Sequence, residues 1–238
     1  LPRKFVDYTV SKAADGTLRV DVLIWDVQDT RHDVVGRDDH ANLQRMYYHL
    51  FRNVLQRRWH RGSSWRLRPD EQTAVAWDTL ETFVDSQGLS VDVKGPLIPP
   101  GSLRRRFRRE FRVEEIVPCE SGSEPIAQLA DLFAGLAVYS RQCFNRYEAW
   151  HHDSGTRPTL FPDDLLEGVT LSNSDRERCQ VLEKLDARCK ALRLGVGLMG
   201  SRGLKTRDPR RPINFWWYEP QHDADRAPTR RRALTWRR

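Results

Sequence analysis

The chain has 238 residues, enough to bury one sizeable core, or one core with a small appendage. With 39% hydrophobic and 31% charged residues it reads as a globular protein rich in surface charge, and no apolar stretch approaches the roughly 18–20 residues that span a membrane. The formal net charge of +7 points away from basic partners and toward anionic ones.

Residues 2–14 carry apolar positions at Phe5, Val6, Val10 and Ala13 and run into Gly16, which predicts a short amphipathic helix with a glycine stop. LRVDVLIWDVQD (18–29) alternates and then turns apolar before Asp26, as a central strand would. RHDVVGRDDH is a polar connector. A long helix follows over 41–59, with Leu43, Met46, Tyr47, Leu50, Val54 and Leu55 on one face. SSWRLRPDEQ (63–72) predicts a strand running into Asp70 and Glu71, and 73–88 another amphipathic helix.

After a Pro/Gly break, LRRRFRREFR (103–112) places six arginines in ten residues, including Arg104, Arg105, Arg106, Arg108 and Arg109. The tail TRRRALTWRR (229–238) adds five more. Arginine neutralises phosphates and stacks on bases, so these runs are the candidate nucleic-acid contacts; the alternative is a solvated basic face with a frayed tail. FRVEEIVPCES (111–121) predicts a strand. Ser123 is the expected cap of the helix that follows, with Pro125 in its first turn.

That helix, PIAQLADLFAGLAVYS (125–140), carries Asp131 as its only carboxylate among residues apolar on every side of the wheel. Such a pattern predicts a buried helix. A buried aspartate must be paired, protonated or bound to a cation. Residues 147–164 read as loop, and adjacent side chains in His151-His152-Asp153 diverge too much to suggest a shared metal. Ser174 and Glu177 have capping-box spacing at the start of a further helix that ends before Gly195. INFWWYEP (213–220) is a late strand or a packing clasp. The four cysteines form no CxxC pair, which fits free thiols in a reducing cytoplasm.

Strands alternating with helices through 18–146 predict an α/β domain with a mixed sheet, residues 1–150, followed by an appendage over 151–238 with a basic tail from about 226. Asp26 and Asp70 end strands, where open α/β sheets receive ligands. If the Asp131 helix crosses the same edge, three carboxylates converge as Mg²⁺ or Mn²⁺ would want, and phosphodiester hydrolysis follows as the candidate chemistry. Asp26 could instead begin a turn, Asp70 could cap the next helix, and Asp131 could pair with an arginine.

The segment CESGSEPIAQLADLFAGLA resembles the signature of domain of unknown function 3800, and VLIWDVQD and LRPDEQ resemble its earlier strand blocks. That resemblance implies a ribonuclease-H-like fold in which Asp131 is the helix acid, Asp70 the acid of the second block and Asp26 the earlier strand acid, together binding Mg²⁺ or Mn²⁺. Members begin with a D-E-S-G strand that has no counterpart here, so the resemblance implies either a core that is N-terminally incomplete or a metal site that is itself incomplete. The expectation is a metal-dependent nuclease. The alternative is a catalytically inactive nucleic-acid-binding or protein-interaction module of the same fold.

Overall fold

A computed structural model describes residues 2–27, 39–71, 108–153 and 171–219. The expected helix over 73–88, Arg104, Arg105, Arg106 and the basic tail lie outside these residues. The chain divides into two compact units, Leu1–Ile24 with Ser121–Trp216, and Trp25–Glu120 with Trp217–Arg238.

The first unit is built from α1 (Pro2–Ala14), β1 (Val20–Ile24), α3 (Pro125–Gln142), α4 (Phe144–Asp153), α5 (Asn173–Ala191), β4 (Val196–Leu198), β5 (Leu204–Thr206) and β6 (Ile213–Trp217). The second contains α2 (Asp39–Val54), β2 (Trp65–Leu67) and β3 (Val113–Ile116). The α/β class read from the sequence holds. The described strands, however, pair off as three two-stranded sheets, β1 with β6, β2 with β3 and β4 with β5, rather than as one mixed sheet.

In the first unit α1 buries Val6, Val10 and Ala13 against α5, which contributes Cys179, Leu182, Leu185 and Cys189 to the same core. Gly16 takes φ +81° just past α1, the left-handed stop that its DG context predicts. β6 supplies Ile213 and Phe215 to that core, the Phe215 ring lying stacked on Phe133 of α3 at 6.2 Å. Residues of 171–216 share one hydrophobic core with residues of 2–24.

Several local expectations are also corrected. Helix α4 runs through the segment read as loop, because Tyr147 and Trp150 bury one side of it. The N-cap of α5 is Ser172 rather than Ser174: its hydroxyl accepts from Asp175 N at 3.1 Å, and Asp175 closes the box by accepting from Ser172 N. The N-cap of α3 is Glu124, which makes no side-chain cap bond, so Ser123 does not cap. Pro125 at the start of the helix leaves one fewer amide to satisfy.

The hairpin β4–β5 leaves no mark in the sequence, because its strands of three residues are too short to show a period. It docks on α3 through Ser140, whose hydroxyl donates to Ala137 O and accepts from Leu204 N at 3.0 Å.

Candidate functional site

Asp70 lies at the carboxyl end of a parallel strand pair. β2 and β3 run side by side with Trp65 opposite Val113 and Leu67 opposite Ile116. The ladder continues past both strands, with Val117 N donating to Leu67 O at 3.0 Å, Cys119 N to Pro69 O at 2.8 Å and Glu71 N to Cys119 O at 3.1 Å. Asp70 bridges to Cys119 there and is half-buried. Pro69 has no amide to donate, and the ladder uses only its carbonyl. Behind this pair, Tyr48 and Phe51 of α2 pack on Phe111 and Val113.

Asp26 sits two residues beyond β1 and is half-buried. It belongs with Asp70 to the second unit, whereas Asp131 belongs to the first. Among the described residues no three His, Cys, Asp or Glu side chains form a group that could hold a metal ion. Arg108 and Arg109 are exposed on the helical turn 108–111 that leads into β3.

The expected burial of Asp131 is overturned, because its side chain is exposed. The core face of α3 is carried by Leu129, Phe133, Leu136, Ala137 and Ser140, whereas Ala130, Asp131, Ala134, Gly135 and Val138 face outward. An exposed carboxylate has no desolvation to offset, so the need for a buried partner or cation falls away.

Two polar clusters escaped the sequence reading. In the second unit, the His49 imidazole meets the Tyr218 hydroxyl at 2.9 Å, with ring centroids 4.7 Å apart. Loss of hydration lowers its pKa to about 4, and the charges of Arg45 and Arg52 push in the same direction. Asn42 and Arg45 are buried on the same helix. Polar residues at buried positions dilute the apolar period, and Tyr218 is remote in sequence, so no local signal marks this contact.

In the first unit Asp175 collects the Ser172 hydroxyl at 2.7 Å, Arg146 at 3.0 Å and the Tyr139 hydroxyl at 3.3 Å. The Ser172 bond, ahead of Arg146, holds its carboxyl below the ordinary value. Tyr139 also contacts the Cys179 sulfur at 3.4 Å, and burial pushes both the phenol and the thiol up. A thiol held protonated is a poor nucleophile, so this cluster anchors the start of α5 rather than offering chemistry. All four cysteines are free. His151, near the end of α4, lies edge-on to Tyr147 at 4.5 Å.

No helix among the described residues is long and apolar enough to cross a membrane. No family model matches the chain, and no solved structure matches it. Two proteins of Methanothermobacter thermautotrophicus are similar over nearly its whole length. "Uncharacterized protein ORF2'" is 42% identical over 229 residues, covering 95% of this chain and 74% of the relative. "Uncharacterized protein ORF2" is 40% identical with the same coverage. Identity at this level over this span establishes common descent, and the chain belongs to the family of these ORF2 and ORF2' proteins.

Proposed function

We propose that the chain is a nucleic-acid phosphodiesterase dependent on Mg²⁺ or Mn²⁺, with a ribonuclease-H-like ancestry and with Asp26, Asp70 and Asp131 as its acids. The observation that carries this reading is the position of Asp70 at the carboxyl end of the parallel pair β2–β3, where α/β sheets receive ligands. The resemblance of QLADLFAG to the helix block of domain of unknown function 3800 adds Asp131, whose exposed carboxylate is open to a ligand.

The donor set suits magnesium better than an ion held in an all-protein cage. Mg²⁺ is satisfied by one or two carboxylates, with water and phosphate oxygens completing its shell. Among the described residues no larger group is assembled. A bound ion would supply an activated water and stabilise the leaving oxygen. The chain's own part is to hold that ion through carboxylates and to neutralise flanking phosphates with arginines, including Arg108 and Arg109. Free thiols fit a reducing compartment, and the cytoplasm is the proposed location.

The test is Mn²⁺-dependent cleavage of DNA and RNA by wild type, Asp70→Asn and Asp131→Asn. Loss of about 100-fold or more in either variant, roughly 2.7 kcal/mol of transition-state stabilisation, supports the assignment. Wild-type inactivity on every substrate, or equal activity in all three proteins, refutes it. The exposure of Asp131 also favours a second reading, a nucleic-acid-binding module without catalysis. That reading requires salt-dependent binding indifferent to metal.

A further inference from the structure

The segment that leaves α2 and runs through β2 reads QRRWHRGSSWRLR (56–68), with five arginines, three aromatic or imidazole rings and no acid. It meets the end of the arginine run that precedes β3. Gln56 Nε2 donates to Glu110 O at 3.2 Å, and Trp65 N donates to Arg112 O at 2.9 Å. At Gly62, where φ is +95°, a Cβ would stand 3.4 Å from an Arg112 guanidinium nitrogen. Two basic segments far apart in sequence thus share one surface of the second unit.

The arginines on this surface are of two kinds. Arg66 and Arg68, on the strand side, lie 3.5 Å from Glu114 and 4.0 Å from Glu115, which offset their charge. Arg57, Arg61, Arg109 and Arg112 are exposed, and no ion pair joins them to a described carboxylate. Arg57 makes only a long bond to Asn53 Oδ1 at 3.4 Å. Glu110 is the exposed acid among them. Arginine held without a carboxylate is suited to phosphate oxygens and to stacking on bases.

Trp59 supplies the second, independent feature. It is half-buried, edge-on to Trp65 at 5.9 Å and to His60 at 5.7 Å. Trp65 packs on the described core of this unit, but Trp59 takes no part in that core. A tryptophan set beside exposed arginines, outside the core, offers a ring to a partner's flat face. Bases present such faces only when unpaired, since duplex stacking hides them.

We infer that Trp59 and His60, together with the exposed Arg57, Arg61, Arg109 and Arg112 of the two joined segments, form a binding platform for single-stranded nucleic acid. The inference rests on the reading above only in taking nucleic acid as the partner. It needs no metal and no cleavage.

The test uses the full chain in EDTA, with fluorescence polarisation of a labelled oligo-dT, an oligo-rU and a hairpin duplex. Trp59→Ala should weaken single-strand binding by about 5- to 150-fold, the span of ~1–3 kcal/mol for one stacked base, and leave duplex binding within about twofold. Trp59→Phe keeps a ring and should recover most of the affinity, which a folding defect would not allow. Arg57→Gln with Arg61→Gln should reduce the slope of log affinity against log salt by about 1.4, at ~0.7 for each single-strand phosphate contact.

Unchanged single-strand affinity in Trp59→Ala, or an equal loss on the duplex, overturns the platform. Tighter binding of a poly-glutamate peptide than of either oligonucleotide also overturns it. If Mn²⁺-dependent cleavage is absent while the Trp59-dependent binding persists, the platform stands and the phosphodiesterase reading alone fails.

Discussion

His49 makes a test of the structure that is separable from any activity. Its imidazole is shifted from 6.5 to about 4, first by desolvation and then by Arg45 and Arg52, so the folded chain keeps it neutral where the unfolded chain protonates it. Between those values the unfolded state binds more protons, and stability must rise with pH. The contribution is fully present above pH 6.5 and is lost as pH falls toward 4. At 1.36 kcal/mol per unit, a displacement of this size gives about 3 kcal/mol. The depressed carboxyls of Asp175, Asp15, Asp208 and Glu114 act below their ordinary values of 3.8 to 4.5, so the interval from 4.5 to 6.5 is largely free of them. Urea denaturation of wild type and His49→Gln, at half-unit steps from pH 4.5 to 7.5, isolates the term as a difference between two curves. The wild-type curve should be steeper by about 1.2 kcal/mol per pH unit near pH 5.5. NMR titration of the His49 ring should show it neutral down to pH 5. Parallel curves, or a ring titrating near 6.5, would refute the part-buried contact with Tyr218.

The remaining predictions concern the first unit. Gly203 holds φ 72° and ψ −158°, a conformation nearly reserved for glycine, and a Cβ there would come within 2.6 Å of Ser140 Oγ. Gly203→Ala should therefore cost about 2–3 kcal/mol or more, and a melting temperature within a degree of wild type would contradict the docking of β4–β5 on α3. Ser172→Ala removes the hydroxyl that both caps Asp175 N and donates to its carboxylate, so a loss of about 1 kcal/mol is expected by urea denaturation. Ser174→Ala should change little, and the reverse order of the two effects would move the start of α5.

How much was legible in the sequence depended on how strongly each segment was patterned. α1, with Val6, Val10 and Ala13 at helical spacing before a DG stop, was readable to within a residue. β1 is readable as a strand but overlong, since its apolar run continues past Ile24, and β3 is readable because its ladder with β2 continues to Cys119. α4 is not legible in the sequence because its polar content hides the two rings that anchor it. The capping box of α5 was read two residues late, because SNSD offers two serines with an acid three residues on, and only packing of Cys179, Leu182 and Leu185 selects the frame. Asp70 was legible as an element-ending acid; that it ends a parallel pair, with Cys119 opposite, required the partner strand forty-odd residues away.

Asp131 shows why an apolar wheel can mislead. Its outward neighbours are Ala130, Ala134, Gly135 and Val138, of which all but valine expose little apolar surface. Burial is worth about 25 cal/mol per Å², so leaving alanine or glycine in water costs little and their hydrophobic label carries little orientational information. The large side chains decide. Leu129, Phe133, Leu136 and Ala137 fall at i, i+4, i+7 and i+8, one stripe turned inward, and the carboxylate is carried to the opposite side. Weighted by side-chain area, the same sequence would have placed Asp131 outside. Trp59 and Trp65 are both large and half-buried, yet of the two only Trp65 packs against the described core. A tryptophan left beside charges when a core lies near forgoes stabilisation that packing would have supplied, and a binding partner is the physical reason that best fits its position.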